Sequence, residues 1–579
     1  MANQASKVVA SYAAWGLVLT VASSPAWAQS PADLDAARRQ AEALQRQQQE
    51  QIKRDQDALQ PGEKAPGGVD TRKLVPKVDA SKAGGKCRDI GEIVIHGAPR
   101  LPSSVREQID KQFAGHCLGV TEIEQILGEI TKDYVLRGYV TTRAYLPAQD
   151  LSKGKLEITV VEGTIEKLRI EDKGSRSFAP GNTIPAKPGD VLNLRDLEQG
   201  IDQINRLASN KATLDIQPGS QAGGSEVVIR NEPESFYHWL FSFDNQGSVH
   251  TGKNQGGVSL STDSLLGWSE FMLFTHREAI PGEKLNTWST SDSFMLSVPY
   301  GYNTFSYNGC ISRYVSTILA PSGLELIASG DSTCNAVTWD RVVYRDASTR
   351  ANVSSTYTNK ESRSYLEGQL LGVSSRKLTV LDLDGNVTTG LGPGILGLSV
   401  GWAEGLSSAG ALRDMDDLPF EAPRAQFKKL KYGASYSLPF QWLGNEWSLN
   451  STLTGQSART TLYGSEQMAI GGIYTVRGFV NSTLAGDSGY YLRNDLSMRQ
   501  TISLAGVALP TRWFVALDMG AVRNRVPEVP QGSLVGAALG ASISWKGATW
   551  DIFGSCPVAM PQFLNRESCQ TWFRLSLAI

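Results

Sequence analysis

The sequence is short of histidine, of unbalanced charge and of long apolar runs, and each shortage removes a class of function. There are five histidines in 579 residues, and neither a Cys-x-x-Cys pair nor a histidine cluster accompanies them, which argues against a metal centre. Lys and Arg total 56 against 58 Asp and Glu, so no basic excess is available to neutralise nucleic-acid phosphates. Past the N-terminus no apolar run reaches the length of a transmembrane helix, and mean hydropathy is −0.22, which argues against a helical membrane protein. Serines are plentiful, yet no phosphate loop or zinc-binding helix occurs. An enzyme is therefore not expected, nor is a cofactor.

What is present begins with an export signal. Lys7 precedes the apolar run Val8 to Ala22, and Pro25-Ala26-Trp27-Ala28 ends in the small-x-small pattern that signal peptidase accepts. Residues 1–28 read as a signal peptide; the alternative, a membrane anchor, is too short to span well. Export makes the six cysteines readable as structural disulfides. They fall into three close pairs, Cys87 with Cys117, Cys310 with Cys334 and Cys556 with Cys569.

Residues 29–60 hold Leu34, Ala37, Ala41 and Leu44 at helical spacing. The apolar stripe is thin, so a weakly amphipathic helix and a solvated segment are both compatible with it. Residues 61–86 form a linker punctuated by Pro61-Gly62, Pro66-Gly67-Gly68, Pro76 and Gly84-Gly85. Two similar α/β units follow. In residues 87–163, Ile90 to His96 is a predicted strand and Ser103 to Gln112 a helix. Thr121-Glu122-Ile123-Glu124 is a capping box for a second helix ending at Gly138, and Tyr139 to Leu146 with Lys155 to Val161 forms a hairpin. In residues 164–232 the order repeats: strand Thr164 to Ile170, a helix capped by Asn193 and running to Leu207, then Ala212 to Pro218 against Ser225 to Arg230. Two copies of one unit indicate a tandem binding or scaffolding array.

From residue 233 to 579 the texture changes to Gly, Ser, Thr and aromatics in strict alternation. Tyr237, Trp239, Phe241 and Phe243 alternate with His238, Leu240, Ser242 and Asp244. Similar stretches cover Ser293 to Tyr300, Lys431 to Phe440 and Trp572 to Ile579. About 345 residues of such strands fit a transmembrane barrel of roughly sixteen strands at about ten residues each. A soluble two-sheet protein, the alternative, rarely runs so long as one unit.

Within this region Gly471-Gly472-Ile473-Tyr474-Thr475-Val476-Arg477-Gly478-Phe479 places an arginine in a glycine-flanked turn. Downstream, alternation in Trp513 to Gly520 puts Trp513, Val515, Leu517 and Met519 on one face and Asp518 on the other. With the apolar face toward lipid, Asp518 points into the lumen. A carboxylate there needs a partner, and Arg477 can supply a bidentate one. Arg493, Asp495, Arg499 and Arg574 also fall on inward positions, where they either line a hydrated pore or satisfy one another, the latter being expected for most of them.

The order of signal, helix, linker, tandem unit and barrel, with Val476-Arg477-Gly478-Phe479 and Phe514-Val515-Ala516-Leu517-Asp518-Met519-Gly520, resembles the outer-membrane transporters of two-partner secretion. These are the TpsB, or haemolysin secretion/activation, family. Asp244-Asn245-Gln246-Gly247 and Leu492-Arg493-Asn494-Asp495-Leu496 also resemble family patterns. The resemblance implies a mainly β fold: sixteen antiparallel transmembrane strands preceded by two periplasmic POTRA domains, with residues 29–60 as a helix plugging the pore. It implies a long sixth outer loop folded into the lumen, with Val476, Arg477, Gly478 and Phe479 locked to Asp518. The implied activity is secretion of one large TpsA-type exoprotein, a haemolysin, adhesin or contact-dependent toxin, from a Gram-negative outer membrane. The implied partners are that exoprotein, outer-membrane lipid and the barrel-assembly machinery during biogenesis. Two departures stand out. The chain ends at Ile579 where family members commonly end in an aromatic residue, and the family pattern does not require the two disulfides beyond residue 233, which are expected in extracellular loops. A barrel-assembly factor of the same superfamily is the alternative reading, a passive porin a more distant one.

Overall fold

A computed structural model describes residues 68–75, 87–173, 177–280, 286–319 and 323–579. The expected signal peptide (1–28), the expected plug helix (29–60) and most of the linker lie outside the described residues.

The first unit is built on the strand Lys155–Val161, which pairs in parallel with Glu92–His96 and antiparallel with Arg143–Tyr145. Its alternate side chains Leu156, Ile158 and Val160 are buried under helices α1 (Ser103–Phe113) and α2 (Val120–Leu136). There they join Ile109, Phe113, Ile126, Ile130 and Tyr134, the one-face burial that a period of two dictates. The capping box lies earlier than its motif suggests, because Glu122 Oε2 accepts the Gly119 N–H at 2.7 Å and makes Gly119, not Thr121, the N-cap. The strand expected from Tyr139 starts only at Arg143. Gly138 takes a φ of +97° and the Tyr139 N–H closes the helix end on the Tyr134 carbonyl at 2.9 Å. The Cys87–Cys117 disulfide ties the residue before the strand Arg88–Ile90 to the middle of its partner strand, His116–Leu118.

The second unit repeats the sheet: Gly224–Asn231 is parallel to Thr164–Asp172 and antiparallel to Thr213–Pro218. Asn193 Oδ1 caps α3 (Leu194–Asn205) by accepting from the Arg195 N–H at 2.9 Å. In place of an α1 counterpart there is a one-turn helix, Pro180–Thr183.

Sixteen strands among the described residues then close a barrel in simple sequential order. They are β1 (Tyr237–Asp244), β2 (Gln255–Asp263), β3 (Phe271–Ala279), β4 (Trp288–Tyr300), β5 (Asn303–Leu319), β6 (Glu325–Arg345), β7 (Thr349–Leu366) and β8 (Arg376–Leu391). They continue as β9 (Gly394–Leu406), β10 (Lys428–Trp442), β11 (Asn445–Ala458), β12 (Ser488–Leu504), β13 (Val507–Arg523), β14 (Gly532–Trp545), β15 (Ala548–Ala559) and β16 (Gln570–Ala578). Closure against β1 covers Arg574–Ala578 and Leu240–Asp244, so no edge strand is left exposed. The alternating face reads out as expected: Tyr237, Trp239, Phe241 and Phe243 are exposed outward and Asp244 is buried inward.

The disulfides of the barrel are not both loop features. Cys310 and Cys334 are direct partners within the β5–β6 ladder, on the inner face, so this bridge sits in the barrel wall and not in an extracellular loop. Cys556 belongs to β15, and only its partner Cys569 lies in the eighth outer loop, residues 560–569.

The second unit docks on the inner-end turns of the barrel through α3. Gln199 and Gln203 donate to the Gly301 carbonyl at 3.3 and 3.2 Å, Arg345 Nη1 to Asp202 at 2.7 Å, and the Tyr302 hydroxyl to Asp196 at 2.6 Å. Burial lifts the Asp196 carboxyl above its ordinary range, and the Tyr302 hydrogen bond partly offsets this. Part of the expected linker is held here too. Glu198 Oε1 accepts the Val69 N–H at 2.7 Å, Arg195 donates to the Val69 carbonyl at 3.3 Å, and a short 3-10 turn follows over Thr71–Leu74.

Candidate functional site

The sixth outer loop, residues 459–487, folds back inside the barrel instead of projecting outward. Its base is a small hairpin, Met468–Ile470 against Leu484–Gly486. Beyond it Gly471 and Gly472 take φ values of +100° and +98°, a left-handed pair that turns the chain sharply. Thr475 fixes the turn by donating its hydroxyl to the Gly471 carbonyl at 3.0 Å. The four residues that follow divide by chemistry. Val476 and Phe479 are fully buried in an apolar cluster with Ile470, Leu484, Val522 and Leu534, whereas Arg477 points at the barrel wall.

Arg477 meets Asp518 of β13 with a fork: Nε to Oδ2 at 2.6 Å and Nη2 to Oδ1 at 2.8 Å, with its own backbone N–H reaching Oδ2 at 3.2 Å. Its remaining nitrogen, Nη1, donates to Asp495 Oδ1 on β12 at 2.8 Å. Arg477 is 4% exposed and Asp518 0%, so both charges depend on each other. The Phe514 ring lies 5.9 Å from the guanidinium. Arg493 directs Nη1 to the Tyr474 carbonyl at 2.8 Å, so this inward arginine hydrogen-bonds the loop backbone, while its buried Nε has no hydrogen-bond partner.

Two glycines make the approach possible. Gly536 faces Asp518 across the β13–β14 ladder, and a Cβ there would overlap the Arg477 carbonyl. Gly478 takes a φ of +105°, and a Cβ there would overlap the Cys556 carbonyl of β15.

Three further anchors of the loop escaped the sequence reading. Glu466, 4% exposed, is held by Lys429 Nζ at 3.1 Å and by Lys360. Asp487 accepts from the backbone N–H of Leu462 at 2.8 Å and of Arg525 at 2.9 Å. Glu567 in the eighth loop accepts from Val480, Asn481 and Ser482. The inward glycine at 536 was the one available signal, because a glycine within a strand often marks close approach of another backbone. The acids carry no comparable mark.

Chemically, the arrangement neutralises a buried arginine and immobilises a loop. Among the described residues no group of His, Cys, Asp and Glu has the geometry to hold a metal ion.

Comparison with known proteins agrees with this architecture. Residues 223–543 match the family "Haemolysin secretion/activation protein ShlB/FhaC/HecB", residues 89–163 the ShlB-type POTRA domain, and residues 164–218 a POTRA domain. The chain is 32% identical over 569 residues to the outer membrane transporter CdiB of Escherichia coli O6:K15:H31, covering 96% of this chain and 92% of that one. It is 31% identical over 499 residues to the CdiB of Dickeya dadantii, covering 85% and 87%. The solved structure of CdiB from Escherichia coli superposes with a TM-score of 0.83 at 29% identity, covering 93% of this chain and 98% of that one. The chain belongs to the ShlB/FhaC/HecB family of haemolysin secretion/activation proteins and is an outer-membrane transporter of two-partner secretion, with its POTRA domains in the periplasm.

Proposed function

We propose that the Arg477 turn is the conformational latch of this protein-conducting barrel: it holds the sixth loop inside the lumen in the arrangement that secretion of a TpsA-type exoprotein requires. The observation that carries this reading is the fork of Arg477 on Asp518 with its third contact to Asp495. A buried arginine held at three points by wall residues has a defined position, and that position is lost if either acid is lost.

In this reading the exoprotein is engaged in the periplasm by the POTRA domains. Among the described residues the strand Thr213–Pro218 ends its three-stranded sheet with one side unpaired, which suits addition of an extended cargo segment by main-chain hydrogen bonds. Residues 29–60 plug the pore at rest. The outward aromatics contact outer-membrane lipid, and the barrel-assembly machinery inserts the chain. The protein acts without catalysis: folding of the cargo outside buries apolar surface and makes return unfavourable. The test is co-expression with the large exoprotein of the neighbouring locus. Secretion is expected to be lost on deletion of this chain while other barrels assemble normally. Transport that survives deletion of both POTRA domains would overturn their role as the receptor.

A further inference from the structure

The segment just past the latch is held by a second device on a different part of the barrel. The backbone N–H groups of Val480, Asn481 and Ser482 converge on the Glu567 carboxylate, at 2.9 Å to Oε2, 3.1 Å to Oε1 and 2.6 Å to Oε1 respectively. Three consecutive amides around one carboxylate make an anion nest, and here the anion is supplied by the chain itself. The Ser482 hydroxyl adds a bond to the Asn565 carbonyl at 3.0 Å.

Glu567 lies on a short, closed loop. Cys569, two residues on, is bridged to Cys556 of β15, so the loop that carries Glu567 is tied back to the wall. The same Cys556 presents its carbonyl against Gly478, immediately after Arg477. One covalent brace thus touches the latch on both sides: through the Cys556 backbone before Phe479, and through Glu567 after it.

We propose that Glu567 is a positioning residue of the translocation gate, acting through the disulfide-braced eighth loop to keep the Arg477 turn seated on Asp518. The inference rests on the latch reading given above. Arg477 and Glu567 grip the loop on either side of Phe479, whose ring fills the apolar cluster between them. Releasing the Glu567 side lets residues 478–482 lift from the wall, and the turn is then held only from its other side, by the buried fork and the Arg493 bond to the Tyr474 carbonyl.

The experiment uses the full chain in detergent and in planar lipid bilayers. Amide exchange is followed across residues 471–482, and the frequency of channel opening is recorded without cargo. Any account makes the amides of Val480 to Ser482 exchange faster in Glu567→Ala. This one also requires at least tenfold faster exchange at the Arg477 N–H, which bonds Asp518 on the far side of the turn, and a severalfold rise in opening frequency. Glu567→Asp should restore most of the protection. The double variant Cys556→Ser with Cys569→Ser should move both readouts in the same direction as Glu567→Ala while the barrel stays heat-modifiable. If Arg477→Ala raises opening frequency while Glu567→Ala leaves the Arg477 amide protected and the channel quiet, the role of Glu567 is overturned and the latch stands. If Arg477→Ala itself leaves the channel unchanged, the latch reading fails, and this inference with it.

Discussion

Asp518 and Gly536 stand opposite each other across the β13–β14 ladder, and together they form the place where Arg477 sits. The carboxylate takes the guanidinium, while the missing side chain at 536 leaves room for the Arg477 carbonyl. On the other flank of Asp518, Arg493 is its ladder partner in β12 and binds the Tyr474 carbonyl instead. One row of the wall therefore offers a cation, an anion and a vacancy, each used by a different group of the same loop.

The two acids should not be equivalent. Asp518 accepts three hydrogen bonds from Arg477, backbone included, whereas Asp495 accepts one and its side chain is 27% exposed. Asp518→Ala is expected to weaken the seating by about 3–5 kcal/mol, the cost of stranding a buried charge, and Asp495→Ala by about 1 kcal/mol. Protease susceptibility of the loop in folded barrels ranks the two; equal effects would contradict the geometry.

Gly536→Ala tests the vacancy without touching a charge. The added methyl overlaps the Arg477 carbonyl, so the turn must lift although Asp518 is intact. The expected outcome is faster amide exchange over residues 475–480 with barrel abundance unchanged. Normal protection in this variant would show that the wall, not the loop, yields.

Alternation with period two is imposed by lipid on one side and water on the other, so the outward Trp513, Val515 and Leu517 and the inward Asp518 are written plainly. The Arg477 partner followed from that parity. Glu466, Asp487 and Glu567 were not legible, because their partners are lysines on other strands or backbone amides brought near only by the fold of the loop. Cys310 and Cys334 are bridged within a ladder, not in the outer loop expected for them. Sequence distance cannot tell a bridge across a loop from one across a ladder whose strands happen to be long.

Glu466→Gln should loosen the loop base. Lys429 and Lys360 would then face one carboxamide in a buried site, with a cost of about 3 kcal/mol or more. The expected readout is a lower temperature for loss of the heat-modifiable form. An unchanged midpoint would mean that the lysines find other partners.

At the periplasmic end, Glu198→Ala should free the linker. It removes the acceptor of the Val69 N–H and an ion partner of Arg195. Exchange at Val69 is expected to rise at least tenfold with little change in the core of the second POTRA domain, whereas Glu198→Gln, which keeps an acceptor, should lie between. Protection that persists in Glu198→Ala would assign the docking to the Gly68 contact with the Ala347 carbonyl instead.

In the latch reading Arg477 acts through the position of its loop. The most direct measurement is secretion of the neighbouring exoprotein by Arg477→Ala at matched abundance of folded barrel in the outer membrane. At least a tenfold loss of secreted cargo is expected, with barrel abundance close to that of the parent chain; unchanged secretion at unchanged abundance would rule the latch out.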